Sequence, residues 1–176
     1  CLEMVSCLRI LILNCILISL SHAQAIDFFL DELEDGIGIL TSREGEVTFS
    51  YPDGRKAKAE LHAVEQLSGL EIRTDQEEHL FLALSNGAAL GIYESSEVRV
   101  DSYLQQPFEA GKESMELEPT RSKLVLRLTS GSITFTAERL SPLSEIIIDL
   151  PIGQVRMHKA TGRVLYDNAG AHITIT

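Results

Sequence analysis

The chain has little cysteine and no tryptophan. Cys1, Cys7 and Cys15 are its three cysteines, and all of them precede residue 16. The rest of the chain therefore offers no disulfide and no thiolate metal site. Aromatic residues make up 6% of the sequence. A stacking surface for sugar rings would depend on four tyrosines, which are Tyr51, Tyr93, Tyr103 and Tyr166.

Positive charge is also scarce. Lys and Arg number 15 against 26 Asp and Glu, which gives a formal net charge of −11. Such a surface repels phosphate backbones and anionic lipid head groups, so we expect no binding to nucleic acid or to membrane surfaces. Among protein partners, the charge favours basic ones.

The chain also lacks an apolar run of the roughly 20 residues that a membrane-spanning helix needs. The run Ile10 to Leu20 has eleven residues and includes the polar Asn14. Arg9 precedes it and Ala23-Gln24-Ala25 follows, which is typical of a secretory signal peptide. We predict a signal peptide over 1–25, cleavage between Ala25 and Ile26, and a periplasmic or secreted protein with no membrane span after cleavage.

Two segments follow the predicted signal peptide. Residues 26–44 form an acidic amphipathic lead-in, compatible with a short helix or an extended strand. Residues 45–176 are predicted to form one β-domain. Because Ile173 to Thr176 reads as a strand with no stop signal after it, we expect the domain to be truncated at its C-terminus.

From Glu46 onward the apolar residues alternate with polar ones, as in half-buried strands. Asn86-Gly87 predicts a type I′ hairpin, with positive φ at both residues. The Arg55–Leu67 stretch, rich in Ala and Glu, suits helix or strand, and we predict a strand. Gln105–Arg121 is predicted to be a long acidic loop, and Ser130-Gly131 a turn between two strands.

These patterns predict an all-β fold of short antiparallel hairpins. Both a sandwich and an irregular, solenoid-like β-roll of stacked hairpins fit the spacing. Strict solenoid repeats are absent from the sequence.

Catalytic and metal-binding patterns are weak. Glu77-Glu78-His79 groups two carboxylates with an imidazole, but successive strand side chains point to opposite faces, so a shared metal ion is disfavoured. Ser95-Ser96 and Ser130-Gly131 stand outside any Gly-x-Ser-x-Gly elbow and are interpreted as turns. We therefore expect no enzyme activity, no cofactor and no metal.

Short motifs recur over roughly residues 45–176, at Gly45-Glu46-Val47, Gly69 with Ile72 and Thr74, Gly87, Ser96 and Leu128 to Ile133. Together they resemble the FecR-like extracytoplasmic domain family. Gly45-Glu46-Val47 matches its opening strand, and Leu128 to Ile133 matches a later hairpin around Gly131. Lys159 to Val164 departs from the family's usual final strand. The remaining matches are Gly69, Ile72 and Thr74 in the middle motif, Gly87 in the hairpin that Asn86-Gly87 forms, and Ser96 after it.

The resemblance implies a regulatory module that recognises a protein partner in the cell envelope. FecR-type proteins relay signals from outer-membrane transporters to sigma factors through such a domain. The alternative is a secreted surface or carbohydrate-associated module without a signalling partner. The sequence assigns no ligand-binding residue in either case.

Overall fold

A computed structural model describes residues 33–107 and 117–176. The predicted signal peptide, the Ala25–Ile26 cleavage site and the first part of the lead-in lie outside these ranges. Glu34–Thr176 forms one compact unit. The all-β prediction is confirmed, since every regular element of the described residues is a strand. The strands are β1 Glu34–Asp35, β2 Ile37–Glu44, β3 Thr48–Ser50, β4 Lys56–Lys58, β5 Val64–Gln66, β6 Glu71–Arg73, β7 His79–Leu84, β8 Ala89–Ile92, β9 Glu97–Gln105, β10 Ser122–Thr136, β11 Glu145–Leu150, β12 Gly153–Met157, β13 Thr161–Asp167 and β14 Gly170–Ile175.

The strands form two sheets that share β10. Sheet A has the order β4-β3-β6-β9-β10-β11-β12. Strand β1 pairs with the C-terminal end of β9. Sheet B has the order β5-β2-β7-β8-β10-β13-β14. Neighbouring strands are antiparallel except β10 and β11, which are parallel.

Strand β10 connects the sheets because it is 15 residues long and changes partners midway. Its first part, Lys123–Arg127, pairs with β9 and β11. Its last part, residues 131–136, pairs with β13, and Ile133–Thr136 also pairs with β8. The strand thus passes from sheet A into sheet B near Gly131.

This path corrects the turn predicted at Ser130-Gly131. Gly131 has a φ of 91°, which an L side chain rarely adopts, and the register against β9 shifts between Leu128 and Ser130. A shift of this kind bends a strand without reversing it. Gly131 therefore does mark a change in the direction of the chain, but the change is a bend within one strand and not a turn between two.

One hydrophobic cluster fills the space between the sheets. In β7 and in the first part of β9, alternate residues are buried, as the period of two predicted. The largest fully buried side chains come from both sheets and include Leu40, Phe49, Ile72, Leu82, Tyr103 and Leu126. The shared core makes the two sheets parts of a single domain.

Two predicted boundaries change in the structure. Residues 37–44, assigned to the lead-in, form β2, which lies between β5 and β7 inside sheet B. The predicted Arg55–Leu67 strand consists of two short strands, β4 in sheet A and β5 in sheet B. The chain crosses from one sheet to the other between them, through a turn with His62 at a φ of 65°. A period of two cannot detect a change of sheet, because both sheets bury alternate residues.

Candidate functional site

Three residues of the FecR-like motifs meet at the bend of β10. The Thr74 hydroxyl donates to the Tyr93 carbonyl at 2.5 Å and accepts the Ser96 N–H at 3.0 Å. The Ser96 hydroxyl in turn accepts the Ser132 N–H at 2.9 Å. A Cβ added to Gly131 would lie 2.6 Å from Ser96 Cβ. These contacts hold three chain segments together, so their role is structural.

The hairpin between β7 and β8 differs from the predicted type I′ turn. Gly87 has a φ of 83°, whereas Asn86 is not among the residues with positive φ. The Gly87 N–H donates to the Leu84 carbonyl at 2.9 Å, and the Ala88 N–H donates to Asn86 Oδ1 at 3.0 Å. The connection between β7 and β8 therefore has four residues, 85–88. Gly87 is the last residue of a β-turn that begins at Leu84.

Gly69 also occupies a turn with positive φ, at 81°. Its N–H donates to the Val100 carbonyl at 2.7 Å, and an added Cβ would come within 2.5 Å of Pro52 Cγ. Like Gly87 and Gly131, it allows a backbone path with positive φ that other residues rarely adopt.

A buried polar network beside the β7–β8 hairpin was not predicted. The Tyr103 side chain is fully buried, and its hydroxyl accepts the Asn86 N–H at 3.0 Å and lies 3.1 Å from Ser85 Oγ. Burial raises the pKa of Tyr103 to about 12, against the lowering effect of the Ser85 and Asn86 hydrogen bonds. Asn86 Nδ2 extends the network to Ser122 Oγ at 2.9 Å.

The network continues to Glu118, at the C-terminal end of the predicted acidic loop. The Ser122 N–H donates to Ser144 Oγ at 2.8 Å, and the Ser144 hydroxyl donates to Glu118 Oε2. The same oxygen accepts the Ser141 N–H at 3.0 Å. Glu118 therefore fixes the end of the loop to the segment before β11. These partners are 22 to 36 positions apart in the chain, so no local sequence signal connects them.

At the other end of the loop, Gln105 lines a surface cleft. Its Oε1 accepts the Ser85 hydroxyl at 2.6 Å, while its Nε2 is buried and has no hydrogen-bond partner. An unpaired buried donor costs about 1–3 kcal/mol. The cleft has a volume of about 310 Å³. Its lining residues are Glu34, Asp35, Gly36, Ile37, Ser85, Gln105, Gln106 and Pro107.

An aromatic patch lies on the outer side of sheet B. The Phe81 ring packs edge-on against His79, with centroids 5.7 Å apart, and against Tyr93 at 5.9 Å. The guanidinium of Arg163 lies 5.2 Å from the Tyr93 ring centroid and donates through Nε to Ser132 Oγ at 2.7 Å. The patch thus combines three half-buried rings with one cation.

Within Glu77-Glu78-His79, Glu78 and His79 make separate contacts. Glu78 accepts the backbone N–H groups of Glu46 and Asp75 at 3.1 and 2.8 Å. His79 instead faces Glu44, with Nδ1 3.5 Å from Oε2. Within residues 33–107 and 117–176, no three His, Cys, Asp or Glu side chains are grouped to hold a metal ion.

The outer side of sheet A carries exposed ion pairs of alternating sign. Arg127 pairs with Asp101 at 2.6 Å, and Arg73 pairs with Glu97 at 2.7 Å. Exposed pairs of this kind contribute about 0–1 kcal/mol each. The arginines of these two pairs are neutralised by neighbouring carboxylates.

The edge strands differ in how open they are to pairing. Strand β4 carries two lysines, β5 has only three residues, and β12 carries Arg156. Charge and short length both discourage pairing with another chain. Strand β14 has six residues, reads Gly-Ala-His-Ile-Thr-Ile, and contains no Asp, Glu, Lys, Arg or Pro.

Within residues 33–107 and 117–176, no strand other than β13 pairs with β14, and two of its isoleucines are partly exposed. Ile173 is 48% exposed and Ile175 is 51% exposed. Ile173 lies opposite the fully buried Val164, so it continues the core side of sheet B. The Thr176 N–H donates to Thr161. By alternation along an antiparallel pair, the N–H groups of Ile173 and Ile175 point away from β13.

Comparison of the chain with protein-family models, with curated proteins and with solved structures gave no match. Across the described part of the chain, no helix is long and apolar enough to cross a membrane.

Proposed function

We propose that this chain is an exported, non-catalytic binding module that recognises a protein partner by strand addition at β14. The observation that carries the proposal is that, among the described residues, only β13 pairs with β14, whose other edge is uncharged and has Ile173 and Ile175 half-exposed beside it. An extended segment pairing there would satisfy the free backbone groups and cover both isoleucines.

The motif resemblance to FecR-like domains supports a regulatory role in the cell envelope, where such a module receives a signal from another protein. The charge of −11 favours a basic partner. The signal-peptide pattern supports export. N-terminal sequencing of exported material should find Ile26 first, and recovery of a membrane-bound, uncleaved form would contradict cleavage after Ala25.

The strand-addition test uses charge placed on the edge. Ile173→Lys and Ile175→Lys should each reduce capture of envelope proteins by at least tenfold, because a lysine on an edge discourages pairing. Val64→Lys is the matched control, since Val64 is an exposed aliphatic residue on the opposite edge of sheet B. Equal capture by all four proteins, wild type included, would rule out the β14 edge.

Amide hydrogen exchange then tests the mode of binding. The captured partner should slow exchange at Ala171, Ile173 and Ile175, whose N–H groups lie on the open side of β14. Capture should persist in the presence of a chelator. Loss of capture with chelator would instead point to a metal-dependent site.

The aromatic patch supports a second candidate function, a carbohydrate-associated module. Its rings could contact a sugar, but Phe81 and Tyr93 meet at an interplanar angle of 83°, so they do not form a flat stacking surface. Tyr93→Ala should abolish binding to insoluble polysaccharides if this function is correct, and should leave protein capture unchanged if the first one is.

A further inference from the structure

Asn86 and Gly87 can react with each other when the β7–β8 hairpin is open. Asparagine is a thermolabile residue, and the absence of a side chain at Gly87 leaves the approach of its backbone nitrogen unhindered. That nitrogen attacks the side-chain carbonyl carbon of Asn86 and forms a cyclic imide, and ammonia leaves with the proton of the former N–H. Water then opens the imide to aspartate or isoaspartate.

The folded hairpin holds both reacting groups apart from this chemistry. The Gly87 N–H donates to the Leu84 carbonyl at 2.9 Å, so its nitrogen is fixed in the turn. Asn86 Nδ2 donates to Ser122 Oγ at 2.9 Å, and Asn86 Oδ1 accepts the Ala88 N–H at 3.0 Å. Asn86 is only 3% exposed, which limits access of water to its amide. Attack therefore requires the hairpin to open.

The product of the reaction does not suit the same position. The side-chain partners of Asn86 are Ser122 Oγ and the Ala88 N–H, and neither carries a charge. A carboxylate at this position would be buried without a counter-ion, which costs stability. Through Ser122 and Ser144 the position is also connected to the buried carboxylate of Glu118. Isoaspartate would in addition lengthen the backbone of the turn.

We propose that Asn86 is a deamidation site of the open hairpin, and that its modification stops the chain from regaining the stability of the native fold. Loss of ammonia makes the reaction irreversible, so every interval in which residues 84–88 are open adds to the modified fraction. The buried network protects the site in the folded state. A chain that stays unfolded loses the residue on which that network depends. The inference goes beyond the proposed function and is independent of pairing at β14.

The first test measures deamidation of residue 86 by peptide mass spectrometry, in the full chain kept in buffer and in urea at the same pH. The rate should be at least about 100-fold lower in the folded chain, because a stable domain opens rarely. Amide hydrogen exchange at Ala88 should show a matching ratio, since it needs the same opening. Similar deamidation rates in both solutions, or no deamidation of the unfolded chain, would overturn the proposal.

Variants then test the role of the hydrogen bonds. Ser122→Ala removes the acceptor of Asn86 Nδ2 and should raise the rate in the folded chain about fivefold, the effect of one lost hydrogen bond. Ser42→Ala, at an exposed serine of β2, is the matched control and should leave the rate unchanged. Gly87→Ala should slow deamidation of the unfolded chain, because its side chain hinders the attack. Equal folded-state rates in wild type and both serine variants would show that the network does not protect Asn86.

The effect of the modification on folding needs a separate measurement. Asn86→Asp should lower the Tm by about 10 °C, because it buries a charge without a partner. Asn168→Asp, at an exposed asparagine, should leave the Tm unchanged. Wild-type chain aged in urea and then refolded should contain a fraction of low Tm, or one that does not refold, and this fraction should be modified at residue 86. A modified chain that refolds with the wild-type Tm would overturn the proposal.

Discussion

A position can require glycine because its φ is positive or because a side chain would not fit. Two glycines of this chain allow the two causes to be compared. Gly131 and Gly87 have φ values of 91° and 83°. A Cβ at Gly131 would collide with Ser96, whereas a Cβ at Gly87 would meet nothing within 4 Å. The two sites have similar φ values and differ in crowding.

We expect Gly87→Ala to lower the free energy of unfolding by about 1 kcal/mol through backbone strain alone. Gly131→Ala should lower it by about 2–4 kcal/mol, because overpacking adds to the strain. Urea denaturation of both variants measures the difference. Equal losses would mean that the bend of β10 relaxes easily around a side chain.

Tyr103 predicts a loss of stability in alkaline solution. Its folded pKa of about 12 lies above the ordinary value of 10, so the folded state holds the proton more tightly. The stabilisation is fully present below pH 10 and is lost as pH rises toward 12, with a total on the order of 2–3 kcal/mol.

Tyr103→Phe should remove this pH dependence. The variant should be less stable than wild type near neutral pH by about 1–3 kcal/mol, since the Asn86 N–H loses its acceptor. Denaturation curves at pH 8 and pH 11 test both statements. A wild-type stability that does not fall between these pH values would contradict the assignment.

At the scale of the elements, β10 is the strand that belongs to both sheets. Its two parts pair with β8, β9, β11 and β13. Opening of either sheet therefore exposes one side of the same strand. We expect the amides of Leu126 in sheet A and Ile133 in sheet B to exchange with equal free energies of opening.

Native-state hydrogen exchange measures this directly. The free energy of opening at the Ile133 amide should equal that at the Leu126 amide. If it is at least about 2 kcal/mol smaller at Ile133, the sheets unfold separately. The shared strand would then be a covalent connection without energetic coupling.

The sequence predicted most strands because alternation and turn residues are local signals. It missed the path of β10, since a glycine in a bend and a glycine in a turn look alike in sequence. It also missed the division of Arg55–Leu67 between two sheets. The pairs Ser85 with Gln105 and Glu118 with Ser144 could not be predicted, because only the fold brings these residues together.

At the scale of the whole molecule, charge should govern the rate of association with partners. A chain of net charge −11 attracts a basic partner through long-range electrostatic forces. Salt shortens the screening length of these forces to about 8 Å at physiological ionic strength. The association rate should fall by about tenfold or more between low and physiological salt, with a smaller change in dissociation. Stopped-flow measurements at several salt concentrations check this, and a rate indifferent to salt would contradict it.

The position of β10 in the chain also affects the order in which the molecule can fold. Its partners β8 and β9 precede it, whereas β11 and β13 come later, between Glu145 and Asp167. During synthesis, which proceeds from the N-terminus, both halves of β10 therefore have one unpaired edge until the residues of β11 and β13 have been added. Folding that waits for distant partners is slow, and a nascent chain stalled before Glu145 would present a long unpaired edge to its neighbours.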